Sequence, residues 1–104
     1  MKAQDDYVAV LGHPKDKARQ DILISIMAME KVCEPFYEWY YEADPGTEHE
    51  AYLLERIKYM GDYLILCYEE LQRRNDTEHD VIDLTTKLTE RLDAKDHTRK
   101  STQD

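Results

Sequence analysis

The sequence predicts an all-α protein, an antiparallel bundle of three main helices preceded by a short N-terminal helix. Apolar residues recur every three or four positions over long segments, as they do in helices that bury one face. The 104 residues include only three glycines and three prolines, and few segments alternate apolar and polar residues as strands do. Residues that commonly cap helices stand just before the periodic segments.

The first half of the chain is predicted to form the short helix and the first long helix. The segment "DDYVAVLG" is followed by His-Pro, and this Gly-His-Pro sequence stops a helix after one or two turns. The first long helix is predicted from Lys15 to about Ala43, and Pro35 inside it predicts a bend near residues 31–35. Its apolar stripe comprises Ile22, Ile26, Met29, Cys33, Phe36 and Tyr40.

The second half is predicted to form two more helices. Thr47 and Glu50 have the spacing of a capping box, and the helix that they open is predicted to reach about Arg74. Its apolar seam comprises Leu53, Ile57, Met60, Leu64, Cys67 and Leu71. A third helix is predicted to begin near Thr77 and Asp80, which again resemble a cap, and its stripe comprises Val81, Leu84, Leu88 and Leu92.

The pattern predicts one helical domain over residues 1–93 and a flexible polar tail over residues 94–104, where no apolar residue is large enough to pack. Three helices leave much apolar surface uncovered, so we expect a homodimer or higher oligomer to complete the bundle.

Charge and composition limit the classes of function. The chain has 23 acidic and 14 basic residues and a formal net charge of -9. This charge repels nucleic acids and anionic membranes, so direct binding to either is not expected. It permits binding of cations, of basic proteins or of a nucleotide that carries a metal ion. We expect a cytoplasmic protein in which Cys33 and Cys67 are buried free thiols, because neither a signal peptide nor a metal-type cysteine pair is present.

Two rows of carboxylates suggest a site between helices. Glu30, Glu34 and Glu38 follow one another at intervals of four, so they share one face of the first long helix. On the second helix, Glu55, Asp62 and Glu69 recur every seven residues and also lie along one line. If the second helix packs antiparallel to it, Glu34 is expected to face Asp62, and the adjacent Gly61 would allow a neighbouring backbone or a ligand to approach closely. Such a cluster is suited to Mg²⁺, which prefers oxygen ligands. The alternative is that these carboxylates are solvated surface residues.

Three segments in this order resemble the MazG-like nucleotide pyrophosphohydrolases. The segments are "MEKVCEPFYE" (29–38), "YMGDYLILCYEEL" (59–71) and "KLTER" (87–91). Members of this all-α family hydrolyse nucleoside triphosphates to a monophosphate and pyrophosphate with Mg²⁺. The resemblance therefore implies that residues 1–93 are a MazG-like domain with a metal and phosphate site.

The resemblance also assigns roles to particular residues. It implies that Glu30, Glu34 and Asp62 hold Mg²⁺ and that Glu34 and Asp62 are catalytic. The basic residues assigned to cofactor binding are Lys31, Lys58, Lys87 and Arg91.

The chain departs from the family pattern at positions that matter for catalysis. Lys31 and Tyr59 stand where the family has carboxylates, and Leu84 stands where an asparagine that contacts the nucleotide is common. Two interpretations follow. The protein is a nucleotide-binding hydrolase of this family, or it is a catalytically inactive acidic protein that binds a basic protein face, as an inhibitor or a mimic of nucleic acid.

Aromatic residues and histidines add two further predictions. In "PFYEWYYE", Phe36 and Tyr40 belong to the predicted core, whereas Tyr37, Trp39 and Tyr41 are predicted to lie at an interface with a partner or a nucleobase. The similar sequences "TEHE" (47–50) and "TEHD" (77–80) stand at helix starts, where capping explains them without a metal ion.

Overall fold

The computed structural model describes the backbone of residues 3–103 and the side chains of residues 7–95. It confirms the all-α prediction, with four α-helices and no strand within residues 3–103. The helices are α1 (Ala3–Leu11), α2 (Arg19–Glu42), α3 (Glu48–Arg73) and α4 (Val81–Gln103), and a 3₁₀ turn at Pro14–Asp16 joins α1 to α2. None of these helices has a stretch long and apolar enough to cross a membrane.

Contacts between helices show that α3 runs antiparallel to its two long neighbours. Arg19, at the start of α2, pairs with Asp76, just beyond the end of α3, at 2.9 Å. Lys95 of α4 pairs with Glu50, in the first turn of α3. The Tyr41 hydroxyl near the end of α2 donates to the carbonyl oxygen of Arg91 at 2.6 Å. The helix α4 therefore runs parallel to α2 and packs against both α2 and α3.

The core follows the predicted stripes with changes on each long helix: Tyr37 joins it on α2, Tyr63 joins it on α3, and of the α4 stripe only Leu84 is buried. The stripe residues of α3 from Leu53 to Leu71 are all buried, and so are Ile22, Ile26, Met29 and Cys33 of α2. After Cys33 the next core residue is Tyr37, which is 1% exposed, whereas Phe36 is only partly buried. The prediction that Tyr37 lies at an interface is therefore wrong. The guanidinium of Arg91 in α4 lies 3.8 Å from the centre of the Tyr37 ring and covers it.

Local hydrogen bonds explain where the helices begin. The Thr47 hydroxyl accepts from the amide of Glu50 at 3.1 Å and caps α3 as predicted. The side chain of Asp80 accepts from the amide of Ile82 at 3.0 Å, so Asp80 caps α4. The long helix α2 begins at Arg19 rather than Lys15, because the 3₁₀ turn and the extended backbone of Ala18 precede it.

The helix α4 extends past the predicted domain boundary at residue 93 and reaches Gln103. Lys95 is 4% exposed, and its ammonium donates to Glu50 and, at 3.0 Å, to the carbonyl oxygen of Ala43. The sequence pattern missed this contact because a lysine buries its long aliphatic stem while its charge is satisfied by a carboxylate. The side chains of residues 96–104 lie outside the described residues.

Gly61 lies where Leu88 of α4 packs against α3. A Cβ atom at this position would lie 3.3 Å from Cδ1 of Leu88 on α4, which is closer than ordinary van der Waals contact. Glycine in a helix costs about 1 kcal/mol relative to alanine, and here the missing Cβ leaves room for Leu88. Close approach was predicted at Gly61, and the group that approaches is a leucine side chain.

Glu70 and Arg74 connect the end of α3 to the segment between α1 and α2. The buried carboxylate of Glu70 accepts hydrogen bonds from Arg73 and, at 2.7 Å, from Nε of Arg74. These hydrogen bonds lower the pKa of Glu70 to about 2. The Nη2 atom of Arg74 donates at 3.3, 3.4 and 2.8 Å to the carbonyl oxygens of Pro14, Lys15 and Lys17.

The contact between Gly61 and Leu88 predicts a coupling between two substitutions. In a Leu88→Ala background, Gly61→Ala should raise the free energy of unfolding by about 1 kcal/mol, because alanine is the better helix former. With Leu88 present the gain should be smaller or absent, since the new methyl group displaces the leucine. Urea denaturation of the four variants measures this coupling, and equal gains in the two backgrounds would contradict the contact.

Glu70 predicts a pH dependence of stability. Its folded pKa of about 2 lies below the ordinary 4.5, so the unfolded chain binds more protons between these two pH values. The contribution of Glu70 is therefore fully present above pH 4.5 and is lost as the pH falls toward 2. Denaturation at several pH values should show a shallower acid loss in Glu70→Gln, whereas Glu69→Gln, an exposed neighbour, should retain the wild-type slope.

Candidate functional site

The predicted carboxylates lie in two separate cavities. Glu30 and Glu34 line a cavity of about 220 Å³, the α2–α4 cavity, whose other walls come from α3 and α4. Asp62 lines a second cavity of about 240 Å³ between α3 and α4, the α3–α4 cavity. Leu88 and Tyr37 line both cavities and separate them. The expectation that Glu34 faces Asp62 is therefore wrong, because α4 packs over the region between the two residues.

The predicted basic residues divide in the same way. Lys87 and Arg91 line the α2–α4 cavity together with Glu30 and Glu34. Lys58 lines the α3–α4 cavity beside Asp62. Lys31 is exposed and lines neither of these two cavities. Four of the predicted site residues thus meet at one cavity.

Arg91 holds the central carboxylate of the α2–α4 cavity. Its two terminal nitrogens donate to the two oxygens of Glu34 at 2.8 and 3.1 Å, which is the bidentate geometry of a strong pair. These hydrogen bonds lower the pKa of Glu34 and raise that of Arg91. Both oxygens of Glu34 are therefore used by a guanidinium, and a cation at this carboxylate would have to compete with Arg91.

Asp62 has different surroundings. Partial burial raises the pKa of its carboxyl group, and the charge of Lys58 opposes that change. Tyr59, which stands at a predicted carboxylate position, donates its hydroxyl hydrogen to Glu55 on the same helix.

The side chains predicted to hold Mg²⁺ are divided between the two cavities. Within residues 7–95, no three His, Cys, Asp or Glu side chains lie close enough to share a metal ion. Glu30 and Glu34 lie in a different cavity from Asp62, and Glu34 is bound by an arginine. The three predicted metal ligands are therefore not brought together.

No family model, curated protein or solved structure matches this chain. The resemblance to the MazG-like family therefore remains a prediction that rests on the three short segments. The arrangement of the site has to be interpreted from its own contacts.

The structure shows a surface that the sequence interpretation did not single out. On the side of α2 away from the core, five uncharged residues follow one another at intervals of four, four, three and four. We call this surface the outer stripe; it comprises Ile24, Ala28, Val32, Pro35 and Trp39. Ile24, Val32 and Trp39 are 55%, 51% and 49% exposed. The helical spacing of the outer stripe is visible in the sequence, but the sequence interpretation used only the other apolar stripe of α2, which is buried.

The outer stripe ends at a shallow cleft beside Trp39. This Trp39 cleft is lined by Trp39, Glu42, Ala43, Asp44 and His49, and its volume is about 300 Å³. The ring of Phe36 packs edge-on against the indole with 5.2 Å between ring centres, which orients it. The cleft thus combines an aromatic side chain with two exposed acidic residues, a combination that attracts cations.

The hydroxyl group of Tyr37 is buried without a hydrogen-bond partner. Burial raises the pKa of Tyr37 to about 12, so the group is protonated at neutral pH. By contrast, the hydroxyl of Tyr63, also fully buried, donates to the carbonyl oxygen of Gly12 at 2.9 Å. An unpaired buried hydroxyl costs about 1–3 kcal/mol.

This difference predicts opposite effects of two tyrosine-to-phenylalanine changes. Tyr37→Phe should raise the free energy of unfolding by about 1 kcal/mol, because it removes a buried polar atom that has no partner. Tyr63→Phe should lower it by about 1 kcal/mol, because the Gly12 carbonyl loses its donor. Urea denaturation compares both variants with the wild type. A loss of stability in Tyr37→Phe would mean that its hydroxyl is hydrogen-bonded in solution.

Proposed function

We propose that this protein acts by binding another protein through the outer stripe of α2, and that it is not an efficient nucleotide hydrolase. The observation that carries the proposal is the outer stripe itself. Contiguous exposed apolar side chains are uncommon on monomeric proteins and mark interaction sites. The stripe covers 16 helical positions, or about 22 Å at 1.5 Å per residue.

The composition of the stripe supports protein binding. Trp39 lies at its end, and tryptophan is enriched among the residues that dominate binding energies at interfaces. The opposite face of α2 is occupied by the core, so the stripe is not needed for packing within residues 7–95. With a net charge of -9, the protein is suited to a basic partner, whose nucleic-acid-binding face it would cover as an inhibitor or mimic.

The cavities give less support to catalysis. Their volumes of about 220 and 240 Å³ are below the roughly 300–1,000 Å³ of typical small-molecule sites. The bidentate contact of Arg91 leaves Glu34 poorly suited to a metal ion. Nucleotide binding is the second candidate function, and it is favoured by the meeting of Glu30, Glu34, Lys87 and Arg91 at the α2–α4 cavity.

An assay of pyrophosphate release separates the two candidates. With a panel of ribo- and deoxyribonucleoside triphosphates and Mg²⁺ or Mn²⁺, we expect no turnover and no rise in melting temperature, because the carboxylates do not converge. The variants Glu34→Gln and Asp62→Asn should behave like the wild type in this assay. Turnover that both substitutions abolish would establish the hydrolase and contradict the proposal.

A photo-crosslinking experiment tests protein binding directly. With p-benzoylphenylalanine at position 28, in the outer stripe, we expect a discrete adduct in an extract of the cells that contain the protein. The same group at position 86, on the exposed face of α4, is the control and should not give this adduct. Val32→Asp should remove the adduct while changing the free energy of unfolding by less than about 0.5 kcal/mol, as is usual for surface positions. Identical adducts at both positions would contradict a role for the stripe.

A further inference from the structure

We infer that the outer stripe binds an amphipathic helix with basic flanks, and that one lysine or arginine of this helix enters the Trp39 cleft. This inference rests on the proposed function and specifies the partner of the same surface. Three features support it: the spacing of the stripe, the charge along its border and the chemistry of the cleft.

The spacing of the stripe fits a helix as the occupant. Intervals of three and four residues place the side chains of the stripe in one row, as in the seam between two packed helices. Ile24 and Val32 project apolar side chains, and Ala28 between them is small enough to leave space for a side chain of the partner. An apolar face of about 22 Å requires a partner helix of roughly four turns.

Charges along the stripe indicate a basic partner. Lys31, Glu38 and Glu42 each follow a stripe residue by three positions, so they border the stripe on one side. Over its whole length α2 has five acidic residues and only two basic ones. A partner whose apolar face is flanked by lysine or arginine would find carboxylates along most of this border.

The Trp39 cleft gives a position for one particular cation. Its lining includes the indole of Trp39 and the acidic residues Glu42 and Asp44. Tryptophan attracts a cation placed over its ring, and carboxylates can accept the cation's hydrogen bonds. An arginine or lysine near one end of the partner helix matches these groups.

A second copy of the chain matches the stripe less well. When two α2 helices pair antiparallel about a twofold axis, the acidic border of one copy lies beside the same border of the other. Each copy also has a net charge of -9, so association would bring like charges together. The charge distribution therefore favours a basic partner over self-association.

The inference can be tested with a synthetic helix and the single tryptophan of the chain. The probe is a tryptophan-free peptide of leucine and lysine arranged as an amphipathic helix. We expect saturable binding with a blue shift of Trp39 emission, and at least a tenfold loss of affinity between 50 and 500 mM NaCl. A peptide with glutamate in place of lysine, and a peptide with its leucines scrambled, should not bind.

Matched variants locate the binding surface. Val32→Asp should weaken peptide binding at least tenfold, although it adds a negative charge that would favour a basic peptide. Ile82→Asp adds the same charge at another exposed apolar residue, which is 75% exposed on α4, and should leave the affinity unchanged. The double variant Glu42→Gln and Asp44→Asn should weaken binding several-fold. Equal affinities of the Val32 variant and the wild type would overturn the inference.

Two further outcomes would also overturn it. Dimerisation in sedimentation velocity that Val32→Asp abolishes, without peptide binding, would mean that a second copy occupies the stripe. A crosslinked partner at position 28 together with no peptide binding would mean that the stripe binds a protein of different chemistry, so the proposed function would stand. If the adduct at position 28 is also absent, the proposed function itself fails.

Discussion

The packing of Leu88 against Gly61 sets how closely α4 approaches α3. The position of α4 in turn determines how the two cavities and the carboxylates that line them are arranged. Because Gly61 has no side chain, Leu88 approaches α3 closely enough that a single methyl group would disturb the contact. The leucine then lies between the α2–α4 cavity and the α3–α4 cavity and lines both. The carboxylates on the two sides are thus separated by apolar packing. The same helix that completes the core prevents Glu34 and Asp62 from acting together.

The pair of Arg91 and Glu34 has a related effect on charge. It joins α4 to α2 at a distance of 57 residues along the chain, and the guanidinium also covers the ring of Tyr37. One carboxylate of the acidic row on α2 is thereby neutralised within the molecule. Glu38, further along the row, remains exposed and borders the outer stripe, where we propose that a partner binds.

The sequence was sufficient to predict the parts of the structure that depend on local spacing. The helical periods predicted all three long helices, and the capping box at Thr47 predicted the start of α3 to within one residue. The prediction failed where the burial or the contacts of a side chain depend on the position of a neighbouring helix. Tyr37 rather than Phe36 belongs to the core, where Arg91 of α4 covers its ring. Glu34 and Asp62 line different cavities, and Leu88 of α4 lines both of them. The spacing of residues within α2 or within α3 does not reveal where α4 packs against them. The outer stripe was visible as a second apolar row, but a row of this kind has meaning only when the other face is known to be buried.

Arg74 also bears on the order in which the chain folds. Its guanidinium supplies hydrogen bonds to three carbonyl oxygens of the segment that joins α1 to α2, across 57 to 60 residues of sequence. A short irregular segment forms few backbone hydrogen bonds within itself. Bringing Arg74 to this segment closes a long loop of the chain, which costs conformational entropy. The hydrogen bonds from Arg74 to this connection can form only when α3 lies beside it. We therefore expect this connection to be among the last parts of the described chain to become ordered during folding.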